Sequence, residues 1–352
     1  MKHYRVFLMG MYIICISHYI DAHEWTWLYR KTFTHDMQKQ NAFAQEVFFT
    51  RSAINQFTQL VFSWNVLRSQ KGYFSFFIQV RDAATKQWGI WHHMVDWGAT
   101  IQKTYISKSD GVSSYVHVRL ELETKKMADG FRLKVVAHDE ASLQSLQGLY
   151  ITTSNFNAFK EEDSTRVSEK MCSVMIKDVP RIAQFSLGHE DHPRMCSPVS
   201  CSMVMGYLTK KMYDPLACAR GVFDTGLSVY GSWGCNCAYA FDMIQGLVSV
   251  YVKRCNSFRD IHQSLCHKVP VIVSVRGVLP GALKPFPHGH LLVVVGWDQD
   301  MQEVICHDPA AYDEQSVLKR YSLISFLHAW ERSHRLVYMF HKQNTRNISK
   351  QP

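Results

Sequence analysis

Between residues 23 and 171 the sequence has no cysteine, although nine follow, at 172, 196, 201, 218, 235, 237, 255, 266 and 306, and Cys15 precedes. Beyond residue 17 no unbroken apolar run approaches membrane length, so no stable span is expected there. Metal and phosphate signatures are missing as well: there is no Cys-x-x-Cys pair, no His-Glu-x-x-His, no glycine-rich phosphate loop and no dinucleotide fingerprint. Cys235-Asn-Cys237, His288-Gly-His290 and His189 with His192 offer ligands only at other spacings, and neither metal nor cofactor is expected. Internal repeats and low-complexity segments are absent. Lys and Arg exceed Asp and Glu by 39 to 30, a charge of +9. The excess forms no stripe, because Glu161-Glu-Asp163 and Asp298-Gln-Asp300 interrupt it, which argues against a nucleic-acid partner.

What is present is core material. With 47% apolar, 13% aromatic and 20% charged residues, the 352-residue chain buries more than one ordinary core, and two domains are expected. Lys2 and Arg5 precede the apolar run Val6–Ser17, the pattern of a secretory signal peptide assigned to residues 1–22, with cleavage after Ser17 or Ala22. The implied location is secreted, periplasmic or cell envelope. Residues 23–170 read as a β-sandwich, from strands such as Tyr73–Arg81, Tyr115–Leu122 and Phe131–His138 separated by turn residues. Trp64, Trp88, Trp91 and Trp97 on those strands read as core rather than as a glycan-stacking platform. The polar stretch 155–166 marks a boundary near residue 170 that few contacts are expected to cross, so that the first half folds on its own. Residues 171–342 mix helices with apolar strands, giving an α+β chain overall, and 343–352 form a flexible basic tail.

Chemistry gathers in the second half. Ser197-Pro198 and the spacing of Val199, Met203, Val204 and Tyr207 start a helix at Cys196, whose positive end favours a thiolate. Pro287-His-Gly-His290 opens an apolar strand, and Glu303–Ala311 ends a neighbouring one at Asp308. A hairpin between them brings Asp308 to His290, completing a candidate triad with Cys196; His288 competes for the base. With nine cysteines beyond residue 171, an exported chain that pairs the other eight leaves Cys196 free.

Val179–Gln184, Met195–Tyr207, Gly289–Trp297 and His307–Ala311, in that order, resemble the C39-type cysteine peptidases, particularly their exported stand-alone branch. Tyr230–Ala240 and Phe326–Trp330 resemble further blocks of that branch, and Phe62-Ser-Trp-Asn65 resembles the domain that often precedes it. The resemblance implies a papain-like fold with Cys196 as nucleophile, His290 as general base, Asp308 as orienting acid and Gln184 as an oxyanion-hole donor. Ser197, Met195, Val199 and the insert His189–His192 depart from the family pattern around the expected cleft. The expectation is a secreted cysteine hydrolase that cleaves peptide or amide bonds of a peptide or protein substrate through an acyl-enzyme. The rivals are an inactive scaffold whose first domain contacts glycans or an envelope partner, and a thiol transferase or isopeptidase using the same triad.

Overall fold

The computed structural model describes residues 24–40, 44–167 and 171–342. The assigned signal peptide and the tail 343–352 lie outside the described residues. No helix among the described residues is long and apolar enough to cross a membrane.

Among the described residues the first half carries ten strands: β1 (Thr26–Thr32), β2 (Glu46–Phe57), β3 (Gln59–Val66), β4 (Tyr73–Asp82), β5 (His92–Gly98), β6 (Gln102–Thr104), β7 (Ser113–Val116), β8 (Arg119–Leu122), β9 (Ala128–His138) and β10 (Leu146–Ser154). They form two antiparallel sheets, ordered β1-β10-β3-β8-β7 and β2-β9-β4-β5-β6. One apolar cluster joins them through Phe49, Trp64, Phe76, Trp97, Leu133 and Leu149. Trp64 and Trp97 are buried as expected, whereas Trp88 and Trp91 are partly exposed, under Arg132 and Lys134.

Residues 115–122, read from the sequence as one strand, fold instead as the β7–β8 hairpin, pairing Tyr115 with Leu120. His117 and Val118 form its two-residue turn with φ of 50° and 64°. Two consecutive left-handed residues match the twist of a tight hairpin, but such a turn normally carries Asn or Gly, so nothing in its composition announces it.

The second half contains β11 (Val174–Met175), β12 (Ser249–Arg254), β13 (Val271–Gly277), β14 (Phe286–Asp298), β15 (Glu303–His307), β16 (Leu318–Ser322) and β17 (Leu336–His341). They form one antiparallel sheet, β12-β17-β13-β14-β15-β16, with β11 added against β14. After the short helices α1 (His35–Gln40) and α2 (Ser164–Val167) come α3 (Cys196–Thr209), α4 (Pro215–Val222), α5 (Trp233–Met243), α6 (Phe258–Cys266) and α7 (Leu323–Glu331). Helix α3 packs on β14, and α5 lies against β3 and β12. The helix read at 321–330 begins at Leu323, because Tyr321 and Ser322 close β16 and the Ser322 hydroxyl caps the helix.

Strand β3 is buried along its whole length because its two faces serve two cores. Leu60, Phe62, Trp64 and Val66 enter the first-half core, while Val61, one pleat away, joins that of the second half. On that same face, Asn65 accepts the Val250 N–H at 3.2 Å and donates to the Val250 carbonyl at 2.6 Å. The Ser63 hydroxyl accepts the Val252 N–H at 3.1 Å, and Thr152 donates to the Val252 carbonyl at 3.3 Å. These side chains satisfy the outer edge of β12, whose other edge pairs β17. A Cβ on Gly234 of α5 would stand 2.6 Å from the Trp64 ring, so glycine permits that approach.

The polar stretch near residue 160 is not the sparsely crossed junction expected. Glu162 accepts the Phe258 N–H at 2.9 Å, and its own N–H reaches Glu331 at 2.7 Å. Arg335 donates to the Lys160 carbonyl at 2.7 Å. Buried backbone groups need partners, and the linker finds them in the second half.

Candidate active site

Cys196 is the first residue of α3, where backbone N–H groups have no acceptor within the helix. His290 lies in β14 behind Gly289, whose φ of 95° suits glycine. Val293 pairs with His307, so the β14–β15 hairpin sets the Asp308 loop beside His290. His290 Nε2 and Asp308 Oδ1 are 2.7 Å apart, with the residues 4% and 0% exposed, so water scarcely competes for the bond. The Phe286 ring stacks on His290 at 4.0 Å and 11°. With Nε2 held by the carboxylate, Nδ1 is left for Cys196, whose thiol is hydrogen-bonded to this ring.

The electrostatics follow from those contacts. Burial opposes ionisation of Cys196, but the hydrogen bond and charge of His290, with the Leu291 N–H, outweigh it and hold the thiol below its ordinary range. Burial also opposes charging His290, yet the Asp308 carboxylate and the Cys196 sulfur push it up to about 10. Against the same burial penalty, His290, the Tyr321 hydroxyl and the Ala310 N–H hold Asp308 below the usual carboxylate range. The arrangement favours a thiolate–imidazolium pair.

Gln184 is buried in a single 3-10 turn. Its N–H donates to the Pro309 carbonyl at 2.8 Å, tying it to the loop that carries Asp308. Its Nε2 donates one hydrogen to the His192 carbonyl at 3.1 Å, while Oε1 is buried without a partner. The insert His189–His192 is thereby drawn over Gln184, and Asp191 anchors it by accepting from Tyr230 at 2.9 Å and pairing with Arg194 at 3.0 Å.

The four sequence-predicted residues thus come together: Gln184, Cys196 and His290 line one cleft of about 1000 Å³, with Asp308 buried behind the imidazole. The first half contributes His117, Arg119 and Glu121 to its wall. His288 is exposed and makes no contact with Asp308. Sequence reasoning missed Tyr321, whose hydroxyl donates to Asp308 Oδ2 at 2.7 Å, and the stacked Phe286. Tyr321 reaches the site because it pairs with Val304 across β15–β16, a register that no local pattern displays.

All nine described cysteines are free thiols, in contrast to the eight expected to pair. Cys201, Cys218, Cys235, Cys237, Cys255 and Cys306 are buried and pack as small apolar side chains. None of the ligand pairs weighed from the sequence gathers into a three-ligand set among the described residues; Cys172, His262 and Cys266 do, their donor atoms all within 4.8 Å of one another. His262 Nε2 meets the Cys172 carbonyl at 2.8 Å, leaving Nδ1 and two sulfurs as a donor set suited to a soft transition metal.

Comparison with the curated proteins finds no match to the chain. Residues 176–338, which contain all four site residues and the whole hairpin that joins two of them, match the model of the Peptidase_C39 like family, and it is to this family that the second half of the chain is similar.

Proposed function

We propose that the protein is an exported cysteine hydrolase of peptide or amide bonds, with a papain-like catalytic half and a β-sandwich before it. One observation carries the reading: the Cys196 thiol is hydrogen-bonded to a buried imidazole whose far nitrogen is held by Asp308.

The Cys196 thiolate attacks the substrate carbonyl carbon, forming a C–S bond and moving charge onto oxygen. The Cys196 backbone N–H and the second hydrogen on Gln184 Nε2 answer that charge. His290 passes the Nδ1 proton to the leaving nitrogen, the C–N bond breaks, and a thioester remains. Water gives a proton back to Nδ1 and adds its oxygen to the acyl carbon. The C–S bond then breaks, which releases the acid and restores the ion pair. Asp308 keeps Nε2 protonated and the ring oriented throughout.

Labelling with a broad cysteine-hydrolase probe tests the reading. Wild type should label at Cys196 and Cys196→Ala should not; a wild-type Cys196 inert in the native protein would refute it.

A further inference from the structure

Part of the cleft takes no share in the steps above. Six cations line it, Arg119, Arg194, Arg254, Arg276, Lys284 and Arg332, against one acid, Glu121. Some of that charge is answered, because Arg119 pairs with Glu121 at 2.5 Å and Arg194 with Asp191 at 3.0 Å. Lys284 lies over the Phe185 ring. Arg254, Arg276 and Arg332 have no carboxylate within ion-pair distance among the described residues.

Neutral groups hold Arg254 and Arg276 in place, and Arg332 packs against a glycine. Arg254 is 4% exposed; it donates to the carbonyls of Ser333 and His334 at 2.7 and 2.8 Å and to the Gln59 side chain at 2.6 Å, while its Nε is buried without a partner. Arg276 follows Val275, which pairs with His290, so it leaves β13 beside the histidine of the triad, and its Nε donates to the Pro287 carbonyl at 2.9 Å. The Arg332 guanidinium lies against Gly277, where φ is 85° and any side chain would collide with it. Burial and the positive charge of Arg254, Arg119 and Arg276 hold the neighbouring His334 down to about 4.

Keeping an unpaired guanidinium out of water, as at Arg254, is costly unless an anion arrives to complete it, and Arg276 and Arg332 add exposed positive charge on the same wall of the cleft. Arg is also the side chain whose planar fork fits a carboxylate. We propose that Arg119, Arg254, Arg276 and Arg332 form an anion subsite of the cleft, which selects peptides carrying carboxylate side chains close to the bond presented to Cys196. The assignment rests on the hydrolase reading for what lies beside the subsite, and the Arg119–Glu121 pair already shows a carboxylate accommodated in this wall.

The test separates binding from chemistry by using the Cys196→Ala protein with fluorescein-labelled hexaglutamate, hexaglutamine and a hexanucleotide, read by anisotropy at low and moderate salt. Hexaglutamate should bind about tenfold or more tightly than hexaglutamine. Adding Arg276→Gln and Arg332→Gln, both at exposed positions, should remove most of that preference, whereas Lys108→Gln with Lys177→Gln, exposed and outside the cleft, should leave it intact. Equal affinity for hexaglutamate and hexaglutamine, an equal loss in the lysine control, or equally tight binding of the hexanucleotide would overturn the subsite. If the acidic preference is present but the wild-type chain cleaves no peptide, the hydrolase reading falls and the subsite stands.

Discussion

The two halves bury comparable sheets but use them differently. The first-half core is built from rings and aliphatic chains, such as Phe76, Trp97 and Phe131, and its buried acids Asp82, Asp96 and Asp129 are met by Lys126, His93, Arg81 and Lys86 near the surface. The second-half core is penetrated by ionisable groups: Cys196, His290, Asp308 and Tyr321 form a continuous polar line from the cleft into the sheet. The core of the first half is spent on stability, although its β7–β8 hairpin also reaches the cleft wall, and that of the second half on holding a charge pair that water would otherwise dissipate. Variants in each half should therefore fail in different ways.

The largest effect should come from His290→Ala. It removes the group that holds the Cys196 thiol down while the opposing burial remains, so turnover should fall about 10³–10⁴-fold and probe labelling at neutral pH should collapse. In wild type, labelling should stay fast well below the pH range in which an ordinary thiol ionises. A His290→Ala protein that labels like wild type at pH 7 would break the assignment. Phe131→Ala should show the opposite behaviour, costing about 3–5 kcal/mol in a denaturant midpoint while the folded fraction labels at Cys196 at the wild-type rate. A large change in labelling would mean that the two cores are coupled. Gln184→Ala should lower kcat about 10²–10³-fold and leave alkylation by a haloacetamide nearly unchanged, because alkylation develops no oxyanion.

Two smaller predictions concern the seam between the halves. Burial pushes the Glu162 carboxyl up to about 7, against the pull of Arg335 and the Phe258 N–H. The folded state therefore binds more protons than the unfolded state between about 4.5 and 7, and stability from this group falls as pH rises through that window, by at most about 3 kcal/mol. Glu162→Gln should flatten the slope of stability against pH there; an unchanged slope would show that another group causes it. Ser63→Ala should cost about 1–2 kcal/mol by leaving the buried Val252 N–H unmet, with the Cys196 labelling rate unaltered.

How much of this could be read in advance depended on the range of each interaction. The start of α3 at Cys196 and the apolar runs of β14 and β15 are local patterns, and they suffice to place the thiol, the imidazole and the carboxylate on neighbouring elements. Tyr321 was hidden because its role depends on pairing with Val304, and the His117-Val118 turn because its residue types argue against it. Cys172, His262 and Cys266 escaped notice because ninety residues separate the first two. Asn65 stood out as part of a motif, but its task is set by β12, which begins at residue 249.

That task reaches beyond the single molecule. A six-residue strand with one open side is a template on which another chain can add itself, and β12 would be such a template if the second half stood alone. Asn65, Ser63 and Thr152 occupy its hydrogen-bonding positions with side chains, which complete the edge without extending the sheet. A strand docked there would have offered a new open edge of its own. The first half thus ends the sheet at β12 instead of lengthening it there, and leaves Val250 and Val252 on that edge no backbone groups with which a second chain could pair.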